Sequence, residues 1–422
     1  MHTPVRIAHG HGHGHGHVRR AAVIALAAAL TAAGCGTSSG PGDSRPTGTG
    51  SAATDGKGSA SKPSAHALTW EFAHIADFNG ELTDIGVLAE DDIWAVGMEN
   101  TGTPNAQLLH YDGTTWTREP LPEALGPTDY PPVFEEVGDE TLWLRPHKYQ
   151  TGAAPTRWAQ WDGTRWSAVP NPPPDGSGEL EATAPDDIWT LSGEQTAQHW
   201  DGTRWTATRL PYDPSDLAVA GPDDVWAVGG RSTGPGTELG YGESYSQPAS
   251  MHWDGTSWKA VDTPQARFEE PIPPEPSAGL TRVFVLDSGE VRAYGRNSFN
   301  HGEVEPEPAD QDILLRWDGT KWVDQEPAPD QCATRLPVAQ EAGGLFLDGN
   351  WYLTGDDRCV KIKRHRLPLS TGARKESNQM LWLREIHRVP GTDEWWGAGH
   401  VQVNQSGDPF SAPVVVRLVR GG

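Results

Sequence analysis

The sequence is short of basic and of apolar side chains. Its 422 residues carry 33 Lys and Arg against 57 Asp and Glu, a formal charge of −24. So acidic a surface repels phosphate, which argues against a nucleic-acid binder. Only 36% of the residues are hydrophobic, and 49 Gly and 36 Pro interrupt the chain. Long helices therefore cannot dominate, and turns must be frequent. The longest apolar run, residues 21–33, has 13 positions, too few for a membrane-spanning helix of roughly 20. Cysteine is scarce as well, at three. What the chain has in abundance is tryptophan: all 19 lie between Trp70 and Trp396, enough aromatic surface for a core.

The apolar run follows Arg19 and Arg20 and ends at Gly34-Cys35, the layout of an export signal. Upstream, His9, His11, His13, His15 and His17 alternate with Gly, a metal-binding composition that would be discarded with the signal. Val18 is the expected translation start, because a signal of ordinary length begins there. The small residues before Cys35, with Ala32 where Leu is usual, and Gly36 to Ser39 after it resemble the lipobox of bacterial lipoproteins. That resemblance implies cleavage before Cys35 and acylation of its thiol, so that the membrane is a partner through acyl chains. Simple secretion with Cys35 free or paired is the alternative. Removing residues 1–34 takes away three Arg and no acid, leaving 30 basic and 57 acidic residues and a charge of −27. Residues 36–66 hold no aromatic or branched aliphatic side chain and cannot pack. As a flexible tether they reach on the order of 30 Å. The expected organisation is thus a signal peptide (1–34), a disordered tether (35–66) and one folded domain (67–422), exported and held at the outer face of the cytoplasmic membrane.

Within the domain a hexapeptide of the form aromatic-Asp-Gly-Thr-x-Trp recurs five times, from Tyr111, Trp161, Trp200, Trp253 and Trp317. A second motif precedes the copies: Asp91-Asp92-Ile93-Trp94-Ala95-Val96-Gly97, Asp186-Asp187-Ile188-Trp189 and Asp223-Asp224-Val225-Trp226-Ala227-Val228-Gly229. Weaker versions occur at 141–144, 290–295, 350–355 and 393–397. Asp-Gly between runs of alternating polarity marks a hairpin, with Trp200 and Trp205 facing each other across it. Asp-Asp makes the preceding turn through local backbone bonds. In the third unit the strands fall near 179–184, 187–193, 196–200 and 203–209. Four short strands cannot bury both faces alone, so neighbouring units stack.

The fold class read from this pattern is all-β, a β-propeller of four-stranded antiparallel blades. Seven blades are expected, beginning near 80, 130, 178, 214, 277, 334 and 380; six or eight stay open because the sixth shows no clear outer strand. The last blade lacks its own outer strand, and Leu68-Thr69-Trp70-Glu71-Phe72-Ala73 supplies it, closing the ring with the N-terminal segment. The units resemble the W-A-V-G and W-D-G-T-x-W propeller repeats of secreted proteins and lipoproteins of high-GC Gram-positive, actinobacterial type. They are similar to Asp-box hairpins without the Ser, and to WD repeats without the Gly-His partner. The resemblance implies architecture and is silent about activity.

Repetition in every blade assigns the motif Trp and Asp residues to the scaffold, with Trp94, Trp189 and Trp226 wedged between blades. Every long insertion lies on the end of the ring that carries the second-to-third-strand and blade-to-blade connections, at 230–249, 268–277 and 296–311. Such loops on a rigid scaffold are where binding sits. They carry Tyr241 and Tyr245, then Phe268, Glu269 and Glu270, then Phe299, His301, Glu303, Glu305, Glu307 and Asp310. Aromatic and carboxylate groups together suit a glycan, a cation or a basic peptide. His301 with its acidic neighbours has metal-ligand types, but their spacing fixes no geometry, so no metal site and no cofactor are assigned. No Walker A or H-E-x-x-H match occurs. Sialidase-type propellers use an Arg triad and a Tyr-Glu pair, for which Arg209-Leu210-Pro211 is a poor stand-in. The expected function is a monomeric, non-enzymatic binding scaffold for a protein or glycan partner at the cell envelope; the alternative is a glycan-active hydrolase or lyase. With Cys35 acylated, the two remaining cysteines, Cys332 and Cys359, are expected to pair in an oxidising compartment; two separate buried thiols are the alternative.

Overall fold

The computed structural model describes residues 67–421, apart from 102–104, 127, 129, 139–140, 148–156, 175–179, 193–194, 233–244, 268–275, 287–288, 300–308, 334, 342–343 and 357. The expected signal, Cys35 and the tether lie outside the described residues. Strand β1 is Leu68–Ile75. The first meander comprises β2 (Gly80–Ala89), β3 (Asp92–Glu99), β4 (Ala106–Tyr111) and β5 (Trp116–Glu119). The second is β6 (Val133–Glu136), β7 (Leu142–Arg145), β8 (Ala159–Trp161) and β9 (Trp166–Ala168). The third is β10 (Leu180–Ala184), β11 (Asp187–Ser192), β12 (Thr196–Trp200) and β13 (Trp205–Arg209), within a residue or two of the expected bounds. Then come β14 (Asp213–Gly221), β15 (Asp224–Ser232), β16 (Ser246–Trp253) and β17 (Trp258–Val261), followed by β18 (Ser277–Val285), β19 (Val291–Ser298), β20 (Gln311–Trp317) and β21 (Trp322–Asp324). The chain continues through β22 (Pro337–Glu341), β23 (Gly344–Leu347), β24 (Trp351–Thr354), β25 (Cys359–Lys361) and the two-residue β26 (Lys363–Arg364). It ends with β27 (Asn378–Arg388), β28 (Trp395–Asn404) and β29 (Phe410–Arg420).

These strands form a β-propeller of four-stranded antiparallel blades, and the only helical turns among the described residues are two 3₁₀ turns. Seven separate blades were expected, and the sheets differ. Five stand as separate blades of four or five strands, while β14 to β21 run together as one eight-stranded sheet. The join is a single parallel bridge, Ser246 to Ser277, where the start of one unit's third strand meets the start of the next unit's first. The sixth unit does have an outer strand: β25 pairs with β24. It escaped the sequence pattern because Cys359-Val360-Lys361 lacks an Asp-Gly turn. For the same reason residues 350–355, expected as a second strand, contain the third, Trp351–Thr354, and Cys359 opens the fourth.

Ring closure is as the sequence indicates. β1 runs antiparallel to β29, with Thr69 opposite Val419, Trp70 opposite Leu418 and Phe72 opposite Val416. Trp70 is 1% exposed, and its indole N–H donates to the carbonyl of Gly349 in the neighbouring blade at 2.6 Å. Every described strand lies within 68–420, so the ring closes without any residue of the tether.

The repeat motifs build the turns. In the third unit Trp200 pairs with Trp205, their ring centres 5.7 Å apart. Asp201 Oδ1 accepts from the Thr203 amide (2.9 Å), the Thr203 hydroxyl (2.6 Å) and the Arg204 amide (2.9 Å). These donors, the hydroxyl foremost, hold the exposed carboxyl down at about 2. Gly202 has φ of 83°, and a Cβ there would meet Asp186 Cβ at 2.8 Å. The first Asp of Asp-Asp therefore packs on the Gly of the following turn, which couples the two turns of one unit. Gly163 and Gly319, whose units lack Asp-Asp, have open space at the same place.

Cys332 and Cys359 are joined in a disulfide, with Cα atoms 5.8 Å apart. Cys332 sits in a 3₁₀ turn, Asp330–Cys332, ahead of β22, and is fully buried. The bridge spans 27 residues, so in the chain-entropy model it contributes roughly 3–4 kcal/mol. Replacing both cysteines with Ser is expected to lower the unfolding free energy by about that amount. Denaturant titration checks it, and an unchanged midpoint would contradict the role.

Candidate functional site

Three serines set where the long connections begin. Ser246 opens β16 and pairs with Ser277 at the start of β18, which pairs in turn with Ser298 at the end of β19. The connections 233–245, 262–276 and 299–310 therefore all leave from one place on the ring. The Ser246 hydroxyl donates to the Ala278 carbonyl at 2.5 Å. Next to it the buried Gln247 clamps the middle connection: its Oε1 accepts from the Ala266 amide at 2.8 Å and its Nε2 donates back to the Ala266 carbonyl at 3.3 Å. Thr263 donates to the Pro248 carbonyl at 2.6 Å.

Of the residues expected to bind, Tyr245 and Phe299 are described. Both are half-buried and adjoin Ser246 and Ser298, so the rung brings their backbones together. Tyr241, Phe268, Glu269, His301 and Glu303 lie outside the described residues. Two residues that the pattern did not single out belong to the same place. Arg231 pairs with Gln247 in strand register, and its guanidinium lies 6.0 Å from the centre of the Tyr212 ring. Asn297 stands opposite Ala278. Arg231 Nε and Asn297 Oδ1 are buried and have no hydrogen-bond partner among the described residues. The loop root thus offers a donor, an acceptor and an aromatic face. No signal in the sequence marks these two, because neither belongs to a repeated motif.

The scaffold beneath it is held by a repeated acid–histidine–tryptophan set. Nε2 of His110 lies 3.0 Å from Asp92 Oδ1, which also accepts from the Trp94 indole at 2.9 Å, while Oδ2 accepts from Trp161 of the next blade at 2.8 Å. His199 with Asp187 (2.7 Å) and His252 with Asp224 (2.8 Å) repeat the contact. Each carboxylate selects the tautomer with the proton on Nε2. The rings of Trp94 and His110 stack at 4.0 Å, and those of Trp189 and His199 at 4.2 Å. Trp94, Trp189 and Trp226 do wedge between blades, within 4.8, 5.4 and 5.0 Å of Trp161, Trp253 and Trp317. The second Asp of Asp-Asp was expected to bond local backbone; it takes these ring N–H groups instead, because its side chain points across to the third strand. Burial alone would raise the Asp187 pKa, but bonds from His199 and Thr183 outweigh it and hold the carboxyl below the usual range. The signal for the histidines was present, two positions before the Asp of Asp-Gly-Thr in three of five copies.

At the inner edge of the ring the first strands have unpaired amides, and bulged carboxylates satisfy them. The register of β2 shifts between Leu82 and Asp84, and that of β14 between Pro214 and Asp216. Asp84 then accepts from the Phe134 amide of the next unit at 2.7 Å, and Asp216 from the Val283 amide at 2.8 Å. Glu136 accepts from the Val87 amide at 3.1 Å and lies 3.0 Å from His387 Nδ1. Arg145 is bound to Glu135 at 2.8 Å and Arg384 to Glu81 at 2.7 Å. These charges serve the packing of inner strands. No group of three or more His, Cys, Asp or Glu suited to a metal occurs among the described residues.

No known family profile matches the sequence. No curated protein matches it either. Solved structures that resemble the chain include the β-propeller domain of the Trilobed protease from Pyrococcus furiosus, which has an open velcro topology. It is 9% identical, with 79% of this chain and 97% of that one covered and a TM-score of 0.43. The SapL1 lectin in complex with α-methyl fucoside is 14% identical, with 78% and 96% covered and a TM-score of 0.34. The β-propeller domain of Swd1 from Myceliophteria thermophila is 9% identical, with 82% and 99% covered and a TM-score of 0.34. At such scores the architecture rests on this chain's own strand pairing.

The buried Asp84 gives a test of the inner-edge account. Burial pushes its pKa up to about 6, against the lowering effects of the His387 charge and the Phe134 and Ile85 amides. The folded protein therefore holds this proton more tightly than the unfolded chain. The stability that the proton brings is full below about pH 4 and is lost as pH rises through about 6. Asp84→Ala leaves the Phe134 amide without its acceptor and should cost about 1–3 kcal/mol at low pH. The gap to the parent protein should narrow from about pH 4 to about pH 7. Denaturant titration across that range checks this, and a gap that widens with pH would contradict it.

Proposed function

We propose that the protein is a lipid-anchored, non-enzymatic propeller that presents its loop face to a protein or glycan partner at the cell envelope. The convergence of three long connections on the Ser246–Ser277–Ser298 rung carries this reading. The half-buried Tyr245 and Phe299, with Arg231 Nε and Asn297 Oδ1 as donor and acceptor, suit hydroxyl or amide groups that both give and take hydrogen bonds. In this reading Tyr241, Phe268, Glu269, His301 and Glu303, which belong by sequence to the three connections, add to the binding surface. The anchor is Cys35, from the lipobox resemblance and the 31 residues of tether that follow it. In this reading the eight-stranded sheet is two repeat units that meet at one bridge, and the ring has seven units.

Two variants test the two halves. Cys35→Ala should release the protein from the membrane fraction and end acyl labelling; full retention would overturn the anchor. Replacing residues 233–244 with a short Gly-Ser link should abolish capture of the partner from envelope extracts without lowering the melting temperature. Capture that survives this change would overturn the loop face.

A further inference from the structure

The stretch from Arg358 to Lys375 contains seven Lys or Arg and no Asp or Glu, in a chain where acids outnumber bases by 57 to 33. It begins as β25, the outer strand of the sixth unit, and passes through β26 onto the outer edge of the last blade. Its short strand β26 pairs in parallel with β1, Lys363 opposite Thr69 and Arg364 opposite Trp70. The point where the tether meets the fold is therefore beside this strip.

Of these cations only Arg358 has a carboxylate partner among the described residues, Asp356. Arg364 donates to the Gln379 carbonyl, Arg366 to the Ser377 carbonyl at 2.5 Å and Arg374 to the Ser406 carbonyl at 2.7 Å. Lys361 lies 5.7 Å from the Trp351 ring centre. The neutral carbonyls fix the guanidinium groups in place and leave their charge outward. Burial, and then the charge of Arg366, push the Arg364 pKa down. Nearby acids are few: His365 lies 4.0 Å from Glu71, Arg358 pairs with Asp356 at 2.9 Å, and Glu376 follows the strip.

Beyond β26 the chain makes a 3₁₀ turn, Leu369–Thr371, opened by Pro368 and closed by Gly372 at φ 89°. Leu369 is 68% exposed, more than any other large hydrophobic among the described residues; Trp382 follows at 48%. The turn is braced on both sides. The Leu367 amide donates to Gln379 Oε1 at 3.0 Å, the Arg374 amide donates to Gln405 Oε1 at 3.0 Å, and Gln405 Nε2 donates to the Gly372 carbonyl at 3.2 Å. A leucine held out from a braced turn, with uncompensated cations behind it, has the chemistry of a bilayer interface.

We propose that this edge docks on an anionic lipid bilayer, with Leu369 entering the acyl boundary and Lys361, Lys363, Arg364 and Arg366 lying over lipid phosphates. The proposal rests on the envelope location read from Cys35 and deepens it. The acyl chains on Cys35 hold the protein at the bilayer, and the basic patch adds a second contact with its surface. It also sets the orientation that a 31-residue tether leaves undefined.

The test uses residues 36–422, which contain every described strand and lack Cys35, so that its outcome is independent of acylation. The protein is sedimented with vesicles of phosphatidylglycerol and phosphatidylcholine, or of phosphatidylcholine alone. Binding should be at least about tenfold tighter to the anionic vesicles and should weaken from about 0.1 M to about 0.5 M NaCl. The pair Lys361→Glu and Lys363→Glu should remove about tenfold or more of that affinity, and Leu369→Ala several-fold, with melting temperatures unchanged. Equal binding to neutral vesicles, or insensitivity to the charge reversals, would overturn the proposal. Tight binding to soluble polyphosphate that ignores Leu369→Ala would overturn the lipid in favour of an anionic polymer. Release of Cys35→Ala from cells is a separate result, so failure of the patch and failure of the anchor are distinguishable.

Discussion

A blade of four strands has an outer edge, and the last blade cannot complete its own. β29 ends three-stranded, and β1 arrives from the far end of the sequence to finish the sheet. The pairing closes a ring that would otherwise expose two sheet edges. It also buries Trp70 against Phe346, with ring centres 6.2 Å apart, and ties its indole to the adjacent unit. Truncating a buried side chain of this size costs about 3–5 kcal/mol, a large share of a domain's net stability. Because β1 directly follows the tether, the same pairing determines which side of the ring stands nearest the membrane in the lipid-anchored reading.

The rest of the ring repeats one solution at two radii. At the outer radius, a carboxylate at the start of the second strand takes a histidine from the third strand and, in the first unit, a tryptophan from its own strand and another from the next blade. The last blade keeps the logic with different residues: Glu394 accepts from Trp396 at 2.8 Å and faces Arg417 at 3.7 Å. At the inner radius, bulges turn Asp84 and Asp216 toward amides that no strand covers. Both devices put charge where backbone or indole donors need an acceptor, which offsets part of the cost of burying acids in so acidic a chain.

The architecture was legible because Asp-Gly-Thr and Asp-Asp each do local work that leaves a fixed residue pattern. Strand positions in the third unit and the closing strand followed from it, while the Cys332–Cys359 pair followed from the cysteine count. Where a unit reaches the same geometry with other residues the pattern is silent, as at Cys359-Val360-Lys361. The fusion of β14–β21 depends on two strand ends meeting at Ser246 and Ser277, a tertiary approach without a sequence motif. The His partners were visible as a repeat, but their role needed the Asp side chain to reach across a strand. At the loop root, Arg231, Gln247 and Asn297 are singular residues, and only the register of three strands shows that they share a place.

Repeated residues hold the ring, and the two surfaces proposed to bind, the loop face and the basic edge, are built from unrepeated ones. Both of these surfaces presuppose a closed ring. The most direct measurement is amide hydrogen exchange in residues 36–422, comparing residues 68–75 with residues 395–404 of β28. A ring closed by β1 requires the first segment to be protected to the same order as the second, with both released in one global unfolding. Fast exchange in 68–75, with 395–404 still protected, would show that β1 is not part of the folded core and would contradict the account.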